Sequence, residues 1–147
     1  METVDAGWSA AEFRELKLGD KRLERRLRRV ADQLSAKLRA PIYGAAGDWA
    51  AAKAAYRLFD NEKVRAEKIL APHREQTLKR SREEEVILVI QDSTYLHFGA
   101  GKKGDDLGPI GNSQSKAQGL ILHHSLAVSV EGLPLGIVPQ KIWARGR

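Results

Sequence analysis

A single carboxylate closes the apolar run Val86-Ile87-Leu88-Val89-Ile90-Gln91-Asp92-Ser93-Thr94. β-Branched residues in an unbroken apolar segment predict a strand covered on both faces, which delivers Asp92 to its far end. An Asp in that position serves either chemistry or a turn, since Asp-Ser-Thr is also a good loop cap. The second candidate is a row of arginines, Arg22, Arg25, Arg26 and Arg29, with Lys21 and Arg28 beside it. Helices built for solubility mix charge signs at i,i+4, whereas only Glu24 and Asp32 interrupt this row. Guanidinium groups match phosphate better than ammonium groups do, so the row predicts contact with nucleic acid; a plain solvated helix face is the alternative.

Three further motifs carry less. Gly99-Ala100-Gly101-Lys102-Lys103-Gly104 has the residue types of a phosphate loop without its spacing. Such a loop needs Lys-Ser or Lys-Thr directly after its second glycine and then a helix, whereas Asp105-Asp106-Leu107-Gly108-Pro109 follows here, so the segment reads as a flexible loop. His123-His124 has the composition of a metal-ligand pair, but neighbours on a strand point to opposite faces, so one is expected in the core and the other exposed. Asp105-Asp106 in a glycine-rich loop reads as a solvated turn rather than a cation site.

With 147 residues and a net charge of +6, the chain has room for one domain or two small ones, and its basic excess fits an anionic partner or simple solubility. The lack of cysteine excludes a disulfide framework, a thiolate zinc site and redox chemistry at sulfur. Met1-Glu2-Thr3-Val4-Asp5 is acidic where a signal peptide is basic and then apolar, and no apolar stretch reaches membrane-spanning length. A soluble cytoplasmic protein with no membrane partner is expected.

The elements that position these residues follow from capping and periodicity. Ser9-Ala10-Ala11-Glu12 fits a capping box opening a short helix over residues 10–17. Gly19 breaks it, and Asp20 is placed to cap a second helix whose Leu23, Leu27, Val30, Leu34 and Leu38 share one side until Pro41 ends it. A loop from Pro41 to Gly47 leads to an Ala-rich helix capped by Asp48. On it Trp49, Ala52, Tyr56 and Phe59 share one face, and the aromatics read as core with base stacking as the alternative. A helical stretch from Val64 to Glu84 contains Pro72, which either starts a new helix or kinks a longer one. Strands are then expected over Val86 to Phe98, Gly119 to Val130 and Leu133 to Trp143, the last two joined by a two-residue turn at Glu131-Gly132. The long Gly/Lys/Ser-rich loop between the first two strands is of the functional or disordered kind. A boundary near residue 85 separates the helices from a β meander.

With both halves in view, the chain resembles the amino-terminal part of the transposon Tn-five type transposases, in the insertion-sequence-four group of DDE transposases. Trp8 and Phe13, then Leu18-Gly19-Asp20-Lys21-Arg22-Leu23, then Ala54-Ala55-Tyr56-Arg57-Leu58-Phe59-Asp60-Asn61 are similar to that family's helical domain. Val89-Ile90-Gln91-Asp92-Ser93-Thr94, Gly108-Pro109-Ile110-Gly111, the segment from Gly119 to Val128, and Gly132-Leu133-Pro134-Leu135-Gly136 follow its pattern in order.

The resemblance implies an α+β fold. Residues 1–85 form a helical DNA-binding domain, and residues 86–147 form the first three strands, a meander, of an incomplete ribonuclease-H-like catalytic domain. It implies transposon-end duplex DNA as partner, with Lys21, Arg22, Arg25 and Arg26 on contacting positions, to which the charge argument adds Arg29. It further implies a nucleoid-associated cytoplasmic protein in which Asp92 is the first of three acids. In the complete enzyme these acids hold two Mg2+ or Mn2+ ions for in-line attack at phosphorus. The chain stops at Arg147, before the later strand and helix that would supply the second Asp and the Glu, and neither Asp105 nor Asp106 matches those positions. DNA binding without cleavage by this chain alone is therefore expected, with no stably held metal. A regulator that occupies transposon ends, or that joins full-length transposase or a second copy of itself, is the alternative; a decayed remnant is the third reading.

Overall fold

The computed structural model describes residues 7–99, 106–111 and 117–146. The acidic amino terminus, the glycine-lysine stretch 100–104 and Asp105 lie outside the described residues. Helices precede an antiparallel sheet, an α+β architecture. The chain divides into two compact units, Met1–Gln76 and Thr77–Arg147.

The first unit holds α1 (Trp8–Glu12), α2 (Lys21–Ala36), α3 (Ile42–Ala46), α4 (Trp49–Phe59) and most of α5 (Ala66–Ser81). Asp20 caps α2 as its position predicts, accepting the Arg22 amide at 2.8 Å. Leu23, Leu27 and Val30, spaced to one side of α2, join Phe13, Leu16, Leu18, Ala55 and Leu58 in a single buried cluster. The helix ends at Ala36 with Lys37 as C-cap, so Pro41 does not terminate it and Leu38 is 86% exposed. Pro41 instead precedes α3, within the span expected to be loop; its fixed φ suits the position before a helix.

The capping box does not form. α1 starts two residues earlier than expected, after Gly7, which places Ser9 inside the helix. Ser9 donates its hydroxyl to Asp32 at 2.7 Å and its amide to the same carboxylate at 3.3 Å, while Glu12 meets His73 at 2.6 Å. Asp32 thus caps α1 from across the fold, a charge-assisted contact that outcompetes the local one. Gly7 permits the approach, since a Cβ there would stand 2.8 Å from an Asp32 oxygen.

α4 begins at its predicted cap, the Asp48 carboxylate accepting the Ala51 amide at 2.7 Å. Its buried seam is Ala52, Ala55 and Leu58, whereas Trp49, Tyr56 and Phe59 are 65%, 50% and 48% exposed. The aromatics are therefore not core. A seam led by alanines lets the α4 backbone come close to the core, and this leaves bulky neighbours outside it. Pro72 lies inside α5 and does not begin a new helix; its missing N–H costs one i→i−4 bond.

In the second unit, β1 (Ile87–His97), β3 (Gln118–Ser129) and β4 (Pro134–Trp143) form the expected antiparallel meander, with β3 in the centre. The two-residue β2 (Gly108–Pro109) pairs with the start of β3. β1 and β3 run in register from Ile87↔Ser129 to His97↔Gly119. Four residues, 130–133, separate β3 from β4 rather than two. Gly132 donates its amide to the Ser129 carbonyl at 3.0 Å and takes the left-handed φ of 88° that Glu131 is spared. A bulge opposite Ser125 accommodates Pro139, which has no amide for the ladder. Gly136 is needed where β4 meets the end of α5, because a Cβ there would land on the Thr77 hydroxyl.

The strand expected to be covered on both faces is open. Val86 to Ile90 are between 38% and 57% exposed, since among the described residues of this unit β3 is the only strand paired with β1 and the end of α5 is the only helix.

Candidate nucleic-acid interface

Positions 22 and 25 or 26, and 25 or 26 and 29, are three or four residues apart, so the α2 geometry places four guanidinium groups in a stripe along about 10 Å of helix. The adjoining face of the same helix carries Leu23, Leu27 and Val30 into the core, which holds the stripe to one orientation. Arg22, Arg25 and Arg29 are exposed and Arg26 is half-buried.

The acids that interrupt the row in sequence do not neutralise it in space. Glu24 is buried and accepts the Lys21 ammonium at 2.8 Å and the Leu18 amide at 3.2 Å. The Lys21 contact, more than any other, holds the Glu24 carboxyl below its ordinary range against the opposing effect of burial. Asp32 is committed to α1. Arg28 points elsewhere too, donating to the Phe13 carbonyl from Nε at 3.3 Å and Nη2 at 2.9 Å. Among the described residues, none of the guanidinium groups of Arg22, Arg25, Arg26 and Arg29 is ion-paired or hydrogen-bonded.

These four arginines line one wall of a cleft of about 560 Å³; Asp48, Ala50, Ala51 and Ala54 of α4 form the other. The alanines leave room beside the cations, and the one lining carboxylate, Asp48, is occupied by its cap bond. The cleft thus sets four guanidinium groups against one carboxylate and three alanines, a net positive lining fitted to a phosphate backbone. Lys21 is not among the lining residues. The α4 wall was missed in the sequence because its alanines read only as helix formers.

The whole cleft falls within a segment that a known family describes. Residues 5–64 match the family model for transposase DNA-binding. That segment runs from just before α1 to just after α4, so the match covers the cleft and most of the first unit's core. It supports DNA as the partner and a transposase amino-terminal part as the nature of this region, and it stops short of α5 and the sheet.

On the sheet, Asp92 is exposed in β1, directly opposite His124 of β3, which in turn faces Gln140 of β4. Asp92 lies within the strand rather than in a loop, so it does not cap a turn. It is the only Asp or Glu in β1, β3 and β4. Among the described residues no three His, Asp or Glu side chains come together as a metal site. His123, on the other face, accepts or donates a 2.8 Å hydrogen bond with Ser93, and both histidines are half-buried rather than one core and one exposed. No helix among the described residues is long and apolar enough to cross a membrane.

Proposed function

We propose that this chain is the amino-terminal segment of a DDE transposase of the transposon Tn-five type and that it binds transposon-end duplex DNA through the α2–α4 cleft. The observation that carries the reading is the free arginine stripe, Arg22, Arg25, Arg26 and Arg29, inside the transposase DNA-binding match. Each phosphate neutralised releases condensed counterions, so affinity falls steeply with salt. In the same reading the sheet is the start of a ribonuclease-H-like domain and Asp92 its first metal-binding acid. In the complete family enzyme Asp92 and two further acids would hold Mg2+ or Mn2+, which would supply Lewis-acid chemistry for phosphoryl transfer. The described residues do not fit such a site, because Asp92 has no carboxylate partner, so no chemical step is derived for this chain.

The test is fluorescence anisotropy on a duplex selected from a randomised pool with the wild-type chain. Arg22→Glu, Arg25→Glu and Arg26→Glu together abolish binding while far-UV circular dichroism stays unchanged, and Asp92→Asn binds as the wild type does. Unchanged affinity in the triple variant would sink the assignment.

The open β1 edge supports a second reading, a regulator that joins full-length transposase or a second copy of itself. An unpaired edge on an apolar strand presents backbone donors and acceptors to another chain. Co-elution with an intact transposase of this type, or elution as a dimer, lost on Val89→Lys, is the expected result; a wild-type chain that elutes as a monomer and apart from the transposase removes this reading and leaves the first in place.

A further inference from the structure

The polar stripe of α2 does not end at Arg29. Four residues on, Gln33 continues the row set by positions 22, 26 and 29, and it lines the same cleft, half-buried. The row therefore changes chemistry near the end of the helix. Guanidinium groups only donate, whereas an amide brings both a donor and an acceptor.

A bond within the first unit fixes which way round the Gln33 amide stands. Its Nε2 donates to the Ala46 carbonyl at 3.2 Å, and because a carbonyl cannot donate, nitrogen and oxygen cannot exchange places. Among the described residues Oε1 accepts no hydrogen bond, and it is not one of the buried atoms that lack a partner, so it is open to solvent. Ala46 is followed by Gly47, whose φ of 85° turns the chain, and then by the Asp48 cap, so the amide is tied to the start of the α4 wall. Asp48 is the other side-chain acceptor on the lining, but one of its oxygens holds the Ala51 amide and its charge opposes the approach of phosphate.

Resting on the DNA-binding reading, we propose that Gln33 is a specificity-determining residue of this cleft, its Oε1 accepting a hydrogen bond from the exocyclic amine of a base. Phosphate and deoxyribose within a strand carry acceptors and no donors, so the backbone matches four guanidinium groups but not an open acceptor. The donors that a duplex displays belong to bases: adenine N6 and cytosine N4 in the major groove, guanine N2 in the minor. A sequence that brings none of these to Gln33 leaves its oxygen stripped of water and unpaired, and that penalty is the source of discrimination. The arginines hold phosphate without reading sequence, and the amide selects.

A double-mutant cycle between protein and base tests this. The full chain is titrated with the selected duplex and with duplexes in which one base at a time lacks its exocyclic amine: purine for adenine, 2-pyrimidinone for cytosine, hypoxanthine for guanine. At one position, loss of the amine is expected to weaken wild-type binding by about tenfold, and the base found there names the groove. Gln33→Ala is expected to lose about tenfold on the parent duplex and nothing further when that amine is removed, with an unchanged salt slope because no phosphate contact is lost. Gln33→Lys keeps a donor for the Ala46 carbonyl but has no acceptor, so it is expected to be equally blind to the amine while its added charge steepens the slope. Unchanged far-UV circular dichroism in both variants guards against a folding defect. A wild-type chain sensitive to no single amine would overturn this inference alone. Full sensitivity to the amine in Gln33→Lys would also overturn it, by making Gln33 only a brace between α2 and α3. A wild-type chain that bound no duplex would overturn it together with the reading on which it rests.

Discussion

The two units treat similar sequence material in opposite ways. In the first, Leu16, Leu18 and Leu58 are at most 2% exposed, and Glu12, Asp20, Glu24, Asp32 and Asp48 each have a hydrogen-bond partner. In the second, the stretch Val86 to Ile90, more apolar than any helix of the first unit, is about half exposed, and Asp92 has no hydrogen-bond or ion-pair partner among the described residues. A strongly apolar run declares that it needs cover; whether the cover is present depends on the neighbours. The helices of the first unit supply each other's cover because their apolar faces are interleaved along the chain. β1 receives one neighbouring strand.

The sharpest way to break this contrast is to truncate one side chain from each region. Leu58 is fully buried, so Leu58→Ala is expected to cost roughly 2–5 kcal/mol through lost transfer and a residual cavity. Ile90 is 53% exposed, and Ile90→Ser is expected to stay within about 0.5 kcal/mol while making the chain less prone to self-association. Urea unfolding of both variants, with light scattering alongside, measures the two effects. A loss of several kcal/mol at Ile90 would mean that β1 is covered after all, and the comparison would fail.

Legibility in the sequence follows the reach of each interaction. The caps at Asp20 and Asp48 were readable because each bonds an amide two or three residues away. The Ser9-Glu12 capping box was misread because its residues bond partners 23 and 61 positions distant, which no local pattern shows. The arginine stripe needed only helical periodicity, whereas its isolation from Glu24 and Asp32 required the tertiary bonds that commit those acids elsewhere. The aromatic stripe of α4 was assigned to the wrong side for a related reason: hydropathy favours Trp, Tyr and Phe as core, but close helix packing favoured the alanines beside them. In the sheet, the three long strands were legible, β1 from its unbroken apolar run, whereas the two-residue β2 fell in the segment expected to be loop; the exposure of β1 was not legible, since it depends on which elements pack against the strand.

The smallest effect sharpens the electrostatic side of the comparison. Glu24 is held below its ordinary value of 4.5 chiefly by Lys21, with the Leu18 amide assisting. A carboxyl whose folded-state pKa is depressed contributes stability that is fully present above the unfolded value and disappears as pH falls through the folded one. The first unit is therefore expected to lose stability progressively below about pH 4.5. Glu24→Gln keeps an acceptor for the Leu18 amide but gives up the charge that pairs with Lys21. It is expected to unfold slightly more easily at neutral pH and to show a shallower decline in acid. The decline does not vanish, because Asp20, lowered first of all by its bond from the Arg22 amide, titrates in the same direction. Guanidinium chloride unfolding followed by far-UV circular dichroism at neutral pH and at about pH 3.5 measures the difference. An identical acid slope in the wild type and in Glu24→Gln would show that the buried carboxylate does not couple to folding, and that the closure of the first unit rests on its apolar cluster alone.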